Sequence, residues 1–199
     1  MQIPTPVPTD FAPPMPMQRH AGRWLAPSVG ARRAACVALL VVAAVLAGTS
    51  HAAGLGPEAF EQLRGLVGTW RPADKPGSEL RVEIALTAGD TVLTESWRAP
   101  GHASLTVYHL DGDRLLATHY CPRGNQPRLA LKQRGEDGTL RFEFADATGL
   151  DLLGEYYEHL LTLRRVGAHE LIRGEVYAEH GQPIGELPVP ELTRFRRVR

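Results

Sequence analysis

The chain lacks the features that mark several protein classes. Two cysteines in 199 residues cannot make a disulfide framework or a four-thiolate zinc site. There is no excess of one charge: 22 basic groups balance 22 acidic ones, and the sequence pI is near 7.1. Nucleic-acid binders usually carry a basic excess, so that class is set aside. No serine nucleophile elbow, Walker phosphate loop or His-Glu-x-x-His helix occurs. No repeat of fixed period is visible, which argues against a propeller. Charged residues at 22% and hydrophobic residues at 43% are ordinary for a globular chain, so wholesale disorder is excluded as well.

What is present falls into unlike segments. Residues 1–30 hold Pro4, Pro6, Pro8, Pro13, Pro14, Pro16 and Pro27, seven of the sixteen prolines. Proline lacks a donor and fixes φ, so this stretch reads as a disordered arm. The alternative is a misassigned start, with translation beginning near Met17. Arg32 and Arg33 then precede an apolar run from Ala34 to Ala47. That run is too short for the ~20 residues of a membrane-spanning helix but suits the core of a secretory signal. Ser50-His51-Ala52 supplies the small residues of a cleavage site. Residues 31–52 therefore read as a signal peptide cut after Ala52, with an uncleaved anchor as the alternative. Cys36 lacks the leucine-small-small context of a lipoprotein. The expected address is secreted or periplasmic, and the membrane matters only during export.

The first 52 residues carry four of the 22 basic groups and one of the 22 acidic groups. Their removal leaves 147 residues with 18 basic and 21 acidic groups, a net charge near −3. A domain of that length buries roughly 68–70% of its unfolded surface and needs no staples. Cys121 is its one thiol. It is either buried, reactive or paired with another molecule.

Residues 53–199 read as mainly β with one short helix. Pro57 and Glu58 start the helix, Phe60, Leu63 and Val67 share its spacing, and Gly65 and Gly68 break it. Short alternating runs follow: 66–70, 80–86, 91–98, 105–110, 114–121, 129–133, 140–144, 157–165, 171–179 and 192–198. Residues 184–187 are a further candidate strand, 122–127 a loop and 145–153 irregular. Nine or ten evenly spaced strands predict an antiparallel up-and-down β-barrel, and no helix is long enough for a doubly wound α/β fold.

Gly68-Thr69-Trp70 behind a short helix resembles the Gly-x-Trp opening of the calycin superfamily, which includes lipocalins, fatty-acid-binding proteins and nitrobindin-like haem barrels. The segments 106–113, 118–121 and 124–128 are similar to uncharacterised bacterial lipocalin-like proteins. The resemblance implies a calycin-like β-barrel whose Gly68 turns the chain into the barrel and whose Trp70 plugs one end. It implies no activity. The paired cysteines of many secreted lipocalins and the basic pair of a fatty-acid carboxylate site are both missing.

Candidate chemistry gathers around the central hairpin. A three-residue loop, Asp111 to Asp113, would set Leu105 opposite His119 and His109 opposite Leu115. His109, His119 and Cys121 would then share a face and could hold a metal or haem iron, with His159 as a further ligand on the strand of Leu161 and Leu163. A two-residue loop changes every facing. The competing account gives these side chains local hydrogen bonds and a buried thiol. Glu95 and Trp97 are expected as a polar anchor in an apolar pocket, with Tyr108 beside them. Arg123 and Arg128, in a loop with two amides, suit a carboxylate or phosphate; a solvated strand connection is the plainer account. The expectation is an exported, monomeric or dimeric barrel that binds a small, mostly apolar ligand through Glu95, Trp97, Tyr108, His109, His119, Arg123 and Arg128. The rivals are a haem or metal barrel and an enzyme with Glu95 or His119 as base.

Overall fold

The computed structural model describes residues 54–185 and 189–198. The arm expected over 1–30 and the signal expected over 31–52 lie outside the described residues. Among the described residues one helix, α1 (Leu55–Arg64), precedes ten strands. They are β1 (Gly68–Pro72), β2 (Arg81–Thr87), β3 (Val92–Ala99), β4 (His102–Asp111) and β5 (Arg114–Tyr120). β6 (Gln126–Arg134), β7 (Leu140–Thr148), β8 (Tyr156–Val166), β9 (Glu170–Glu179) and β10 (Glu191–Arg197) follow. Each strand pairs antiparallel with the next, and β1 pairs with β10, so the sheet closes into a barrel. Closure removes both sheet edges.

Alternation decides what fills the barrel. Every second residue of a strand points inward. Near the β2–β3, β4–β5, β6–β7 and β8–β9 turns the inward residues are apolar: Leu93, Leu115, Leu140, Leu163 and Leu171 are all buried. Phe60 and Leu63 of α1 join them, so the helix caps this end. Its seat on the turns is close. A Cβ on Gly56 would clash with the Asp113 carbonyl oxygen, and Gln62 Nε2 donates to the Gly138 carbonyl at 2.5 Å.

The chain enters the barrel at Gly68, whose φ of +141° disfavours a side chain. A Cβ there would also meet Arg197 Nη1 at 2.6 Å. Trp70 follows, wholly buried, and its Nε1 donates to the Leu66 carbonyl at 2.8 Å. Arg197, directly opposite Trp70 in the β1–β10 ladder, lies over the indole at 4.3 Å. It also donates to the Gly65, Val67 and Ala168 carbonyls. One arginine thus ties the last strand to the helix end and the first strand.

Several sequence expectations change. The first strand begins at Gly68 rather than Leu66, because Leu66 and Val67 still bond back to the helix. β7 runs on to Thr148 where irregular chain was expected, since Ala147 and Asp146 pair with Pro127 and Arg128 of β6. Those pairs also bring Gln126 and Pro127 into β6, where a loop was expected. Ile184 and Gly185 form no strand; 186 and 187 lie outside the described residues. The β4–β5 hairpin uses a two-residue loop, Gly112-Asp113, with Asp111 opposite Arg114. The three-residue register is therefore corrected by one place, and every facing on that hairpin changes with it.

Candidate functional site

The end of the barrel opposite α1 is open. Between the β3–β4, β5–β6 and β7–β8 connections lies a cavity of about 500 Å³. Trp97, His119, Arg173, Glu175 and Tyr177 line its depth, with His102, Cys121, Arg123 and Tyr156 nearer the mouth. Beneath it the inward positions are polar and buried.

Arg173 is the centre of this layer. It is 2% exposed, and three carboxylates meet it. Glu95 Oε1 lies 2.9 Å from its Nε, Glu158 Oε1 lies 3.1 Å from its Nη2, and Glu175 meets its Nη1. The guanidinium also lies 4.9 Å from the Trp97 ring centre. Burial pulls its pKa down, but Glu95 and Glu158 more than offset this and hold it above the ordinary arginine value. It therefore stays charged.

Glu95 is fully buried and both its oxygens are engaged. Oε1 accepts from Trp97 Nε1 at 2.6 Å, and Oε2 accepts from Tyr108 OH at 2.5 Å. Burial first, then the Glu95 charge, raises the Tyr108 pKa well above 10, so its hydroxyl remains a donor. A carboxylate held on both oxygens in this way anchors its neighbours.

His119 and Glu158 differ. His119 Nδ1 hydrogen-bonds Thr106 Oγ1 at 3.0 Å and stands 3.7 Å from Glu158 Oε2. Burial, then Arg173, lowers the His119 pKa to about 4, so the ring is neutral near pH 7. With Nδ1 taken, Nε2 is the nitrogen left for a partner from the cavity. Glu158 Oε2 is buried with no hydrogen-bond partner. Burial pushes the Glu158 carboxyl up, against the opposing pull of Arg173.

The mouth is shaped by the β5–β6 loop. Cys121 N donates to the Asn125 carbonyl at 3.1 Å, and Asn125 Nδ2 donates to the Tyr156 carbonyl at 3.1 Å. This ties the loop to β8. Arg123, exposed on the loop, lies over the Tyr156 ring at 5.8 Å.

The structure brings together Glu95, Trp97, Tyr108 and His119, with Cys121 and Arg123 at the rim. It separates the others. His109 is opposite Leu116, on the face of β4 away from Tyr108, so His109 does not share a side with His119 and Cys121. The corrected register is the reason. No group of three His, Cys, Asp or Glu residues among the described residues is arranged to hold a metal. His159 stacks on Phe144 at 5.8 Å and contacts the Tyr157 hydroxyl at 3.3 Å. A bulge between Glu158 and Leu160 sends Glu158 to the Arg173 layer, where unbroken alternation from Leu161 would have sent His159. Arg128 pairs with Asp146 at 2.6 Å on the exposed face of β6–β7, away from the cavity.

Arg173, Glu158, Glu175 and Thr106 were not anticipated. Period two in β9 would place Leu171, Arg173, Glu175 and Tyr177 on one face, and that was the available signal. It was masked by Ile172 and Val176, which make the opposite face look like the buried one.

No family model matches the chain, and no curated protein matches it. The fold stands on its own geometry: a closed ten-strand antiparallel barrel, consistent with a calycin-like barrel.

Proposed function

We propose that this is an exported, calycin-like barrel protein that binds a small ligand in the open end of its lumen. The observation that carries the reading is the cavity of about 500 Å³. It combines aromatic walls, Trp97, Tyr156 and Tyr177, with a floor of buried hydrogen-bonding groups, His119 and Arg173. Its size falls within the roughly 300–1,000 Å³ of small-molecule sites, and a few polar groups within an apolar wall fix a ligand's orientation. The lining is more polar than a purely apolar ligand needs, so the ligand has an aromatic or apolar body and at least one polar group.

Native mass spectrometry of gently purified protein tests this, alongside displacement of a fluorescent apolar probe read from the probe's own emission. A bound small molecule, or probe binding lost in Trp97→Phe and Tyr177→Ala chains, supports the reading. Probe binding equal in all three chains and no co-purified molecule would sink it. Export rests on residues 31–52 and is checked by N-terminal sequencing of the exported form. Ala53 is the expected first residue; an intact 1–52 segment in the recovered protein argues against cleavage.

A second reading has one observation in its favour. His119 is neutral near pH 7, with Nδ1 held by Thr106 and Nε2 left over, and that is how an imidazole presents itself to iron. A Soret band on haem addition, lost in His119→Ala, supports it. An unchanged haem spectrum removes it.

A further inference from the structure

We propose that the outer wall of the barrel carries an oxyanion site, separate from the lumen, that takes the phosphate groups of a ligand bearing two or more of them. It lies in a groove between Arg71, Arg81 and Arg98, and Arg196 extends it along the sheet.

The strand register builds the site. Trp70, Val82 and Phe195 are buried inside the barrel, and Trp97 lines its lumen. Side chains alternate along a strand, so their neighbours Arg71, Arg81, Arg196 and Arg98 point outward. Arg71 is opposite Arg196 in the β1–β10 ladder, and Arg81 is opposite Arg98 in the β2–β3 ladder. Trp70 is opposite Val82, so Arg71 and Arg81 stand side by side one place further along. Four neighbouring strands, β10, β1, β2 and β3, thus present one arginine each in a single row. At the strand spacing of a sheet, that row is roughly 15 Å long. Like charges directly opposite one another destabilise a sheet, so the row is unfavourable until a counter-charge is supplied.

The protein supplies that counter-charge elsewhere but not here. On other parts of the surface Arg114, Arg128, Arg141 and Arg164 each pair with a carboxylate. None of the four arginines in the row pairs with a described carboxylate. Glu170 stands opposite Arg196 but reaches Arg194 instead, at 3.5 Å. Glu79 lines the groove, and Glu83 lies two places from Arg81 on the same face, yet neither pairs with the row. Arg71 Nε is also shielded from solvent with no hydrogen-bond partner, and a donor left in that state costs free energy.

The shape of the groove fits an oxyanion from outside. Between the β1–β2 and β3–β4 connections it encloses about 530 Å³, and Arg71, Arg81, Arg98 and Ser78 share its lining. A guanidinium offers two N–H groups side by side to two oxygens of one anion. A carboxylate brings a single charge to three converging arginines. A phosphate group brings nearly two charges and three acceptor oxygens, which matches the groove better. The row continues past the groove to Arg196, so a ligand with several phosphates engages more of it than one phosphate does.

Calorimetric titration of the purified protein with tripolyphosphate, inorganic phosphate and acetate, at fixed ionic strength, tests the site. Tripolyphosphate is expected to bind most tightly and acetate most weakly. Arg81→Gln and Arg98→Gln should each weaken tripolyphosphate about tenfold, as loss of one charge-assisted contact would. Each should also raise the melting temperature of the phosphate-free protein, because it removes one of an opposed pair. A misfolded variant cannot gain stability while losing binding. Arg114→Gln removes the same charge from a paired arginine outside the row and should leave the affinity unchanged. Affinity unchanged in both row variants, an equal loss in Arg114→Gln, or acetate binding as tight as tripolyphosphate overturns the inference. Cosedimentation with vesicles of phosphatidylcholine and phosphatidic acid distinguishes the source of the phosphate. Vesicle binding lost in the row variants makes it a lipid headgroup. Tripolyphosphate binding without vesicle binding makes it a soluble compound, and binding to neither overturns the site.

Discussion

The two ends of this barrel use the same pair of side chains for different purposes. At the helix end Arg197 lies over Trp70, and at the open end Arg173 lies over Trp97. Arg197 is satisfied by the neutral carbonyls of Gly65, Val67 and Ala168. Arg173 is satisfied by the carboxylates of Glu95, Glu158 and Glu175. Carbonyl partners make a clasp that brings no carboxylate into the core. Carboxylate partners in a buried layer come with a Glu158 carboxyl pushed up by burial and an unpartnered Glu158 oxygen. The first arrangement closes a barrel, and the second leaves a buried polar layer beneath the cavity.

The comparison breaks most visibly at the closed end. Trp70→Ala should lower stability by about 3–5 kcal/mol, as deletion of a buried aromatic does, and should free Arg197 as well. Urea unfolding measures it; a loss under ~1 kcal/mol would mean that Trp70 does not plug the barrel. At the open end Arg173→Met should also cost about 3–5 kcal/mol, because it strands buried carboxylates. Adding Glu95→Gln to that chain should recover part of the loss. Continued decline in the double variant would contradict the charge account.

Acid titration sharpens the contrast further. The His119 pKa is about 4 in the folded chain against an ordinary 6.5, so folding favours the neutral ring. Its contribution is present above pH 6.5 and is lost as the pH falls toward 4. Glu158 is displaced upward from 4.5. Its contribution is present below that pH and is lost as the pH rises through its folded value. The two slopes oppose each other between pH 4.5 and 6.5. Glu158→Gln should leave the His119 slope alone, so stability rises with pH by on the order of 3 kcal/mol across the window. His119→Gln should reverse the slope. Denaturation at three pH values checks both; variant curves parallel to the wild type would contradict the opposing shifts. The smallest effect is expected outside the lumen. Arg128→Ala breaks an exposed pair, so stability should change by less than ~1 kcal/mol and ligand binding should not change. Lost binding in that chain would move the site out of the barrel.

Most of the fold could be read from the residues, because alternation and turn signals are local. The helix, ten strands and the Gly68–Trp70 opening needed no long-range information. β7 beyond Phe144 was an exception: Ala145, Asp146 and Ala147 carry no apolar alternation, and pairing with β6 makes them a strand. The site was read half-way. Glu95, Trp97 and His119 stood out as polar or aromatic residues inside strand patterns. Glu158 and Arg173 did not, because a bulge turned one inward and apolar neighbours disguised the other.

The sequence by itself determined a chain without a disulfide framework or basic excess, rich in short strands, able to close as one barrel. Those properties follow from composition and period-two spacing, which neighbouring residues specify. Tertiary structure decided which side of each strand faces the lumen. A one-residue change in the β4–β5 loop moved His109 out and Tyr108 in, and a one-residue bulge exchanged His159 for Glu158. Side chains alternate with a period of two, so a single-residue offset is the smallest change that reverses a face. Only the closed ladder of ten paired strands fixes that offset.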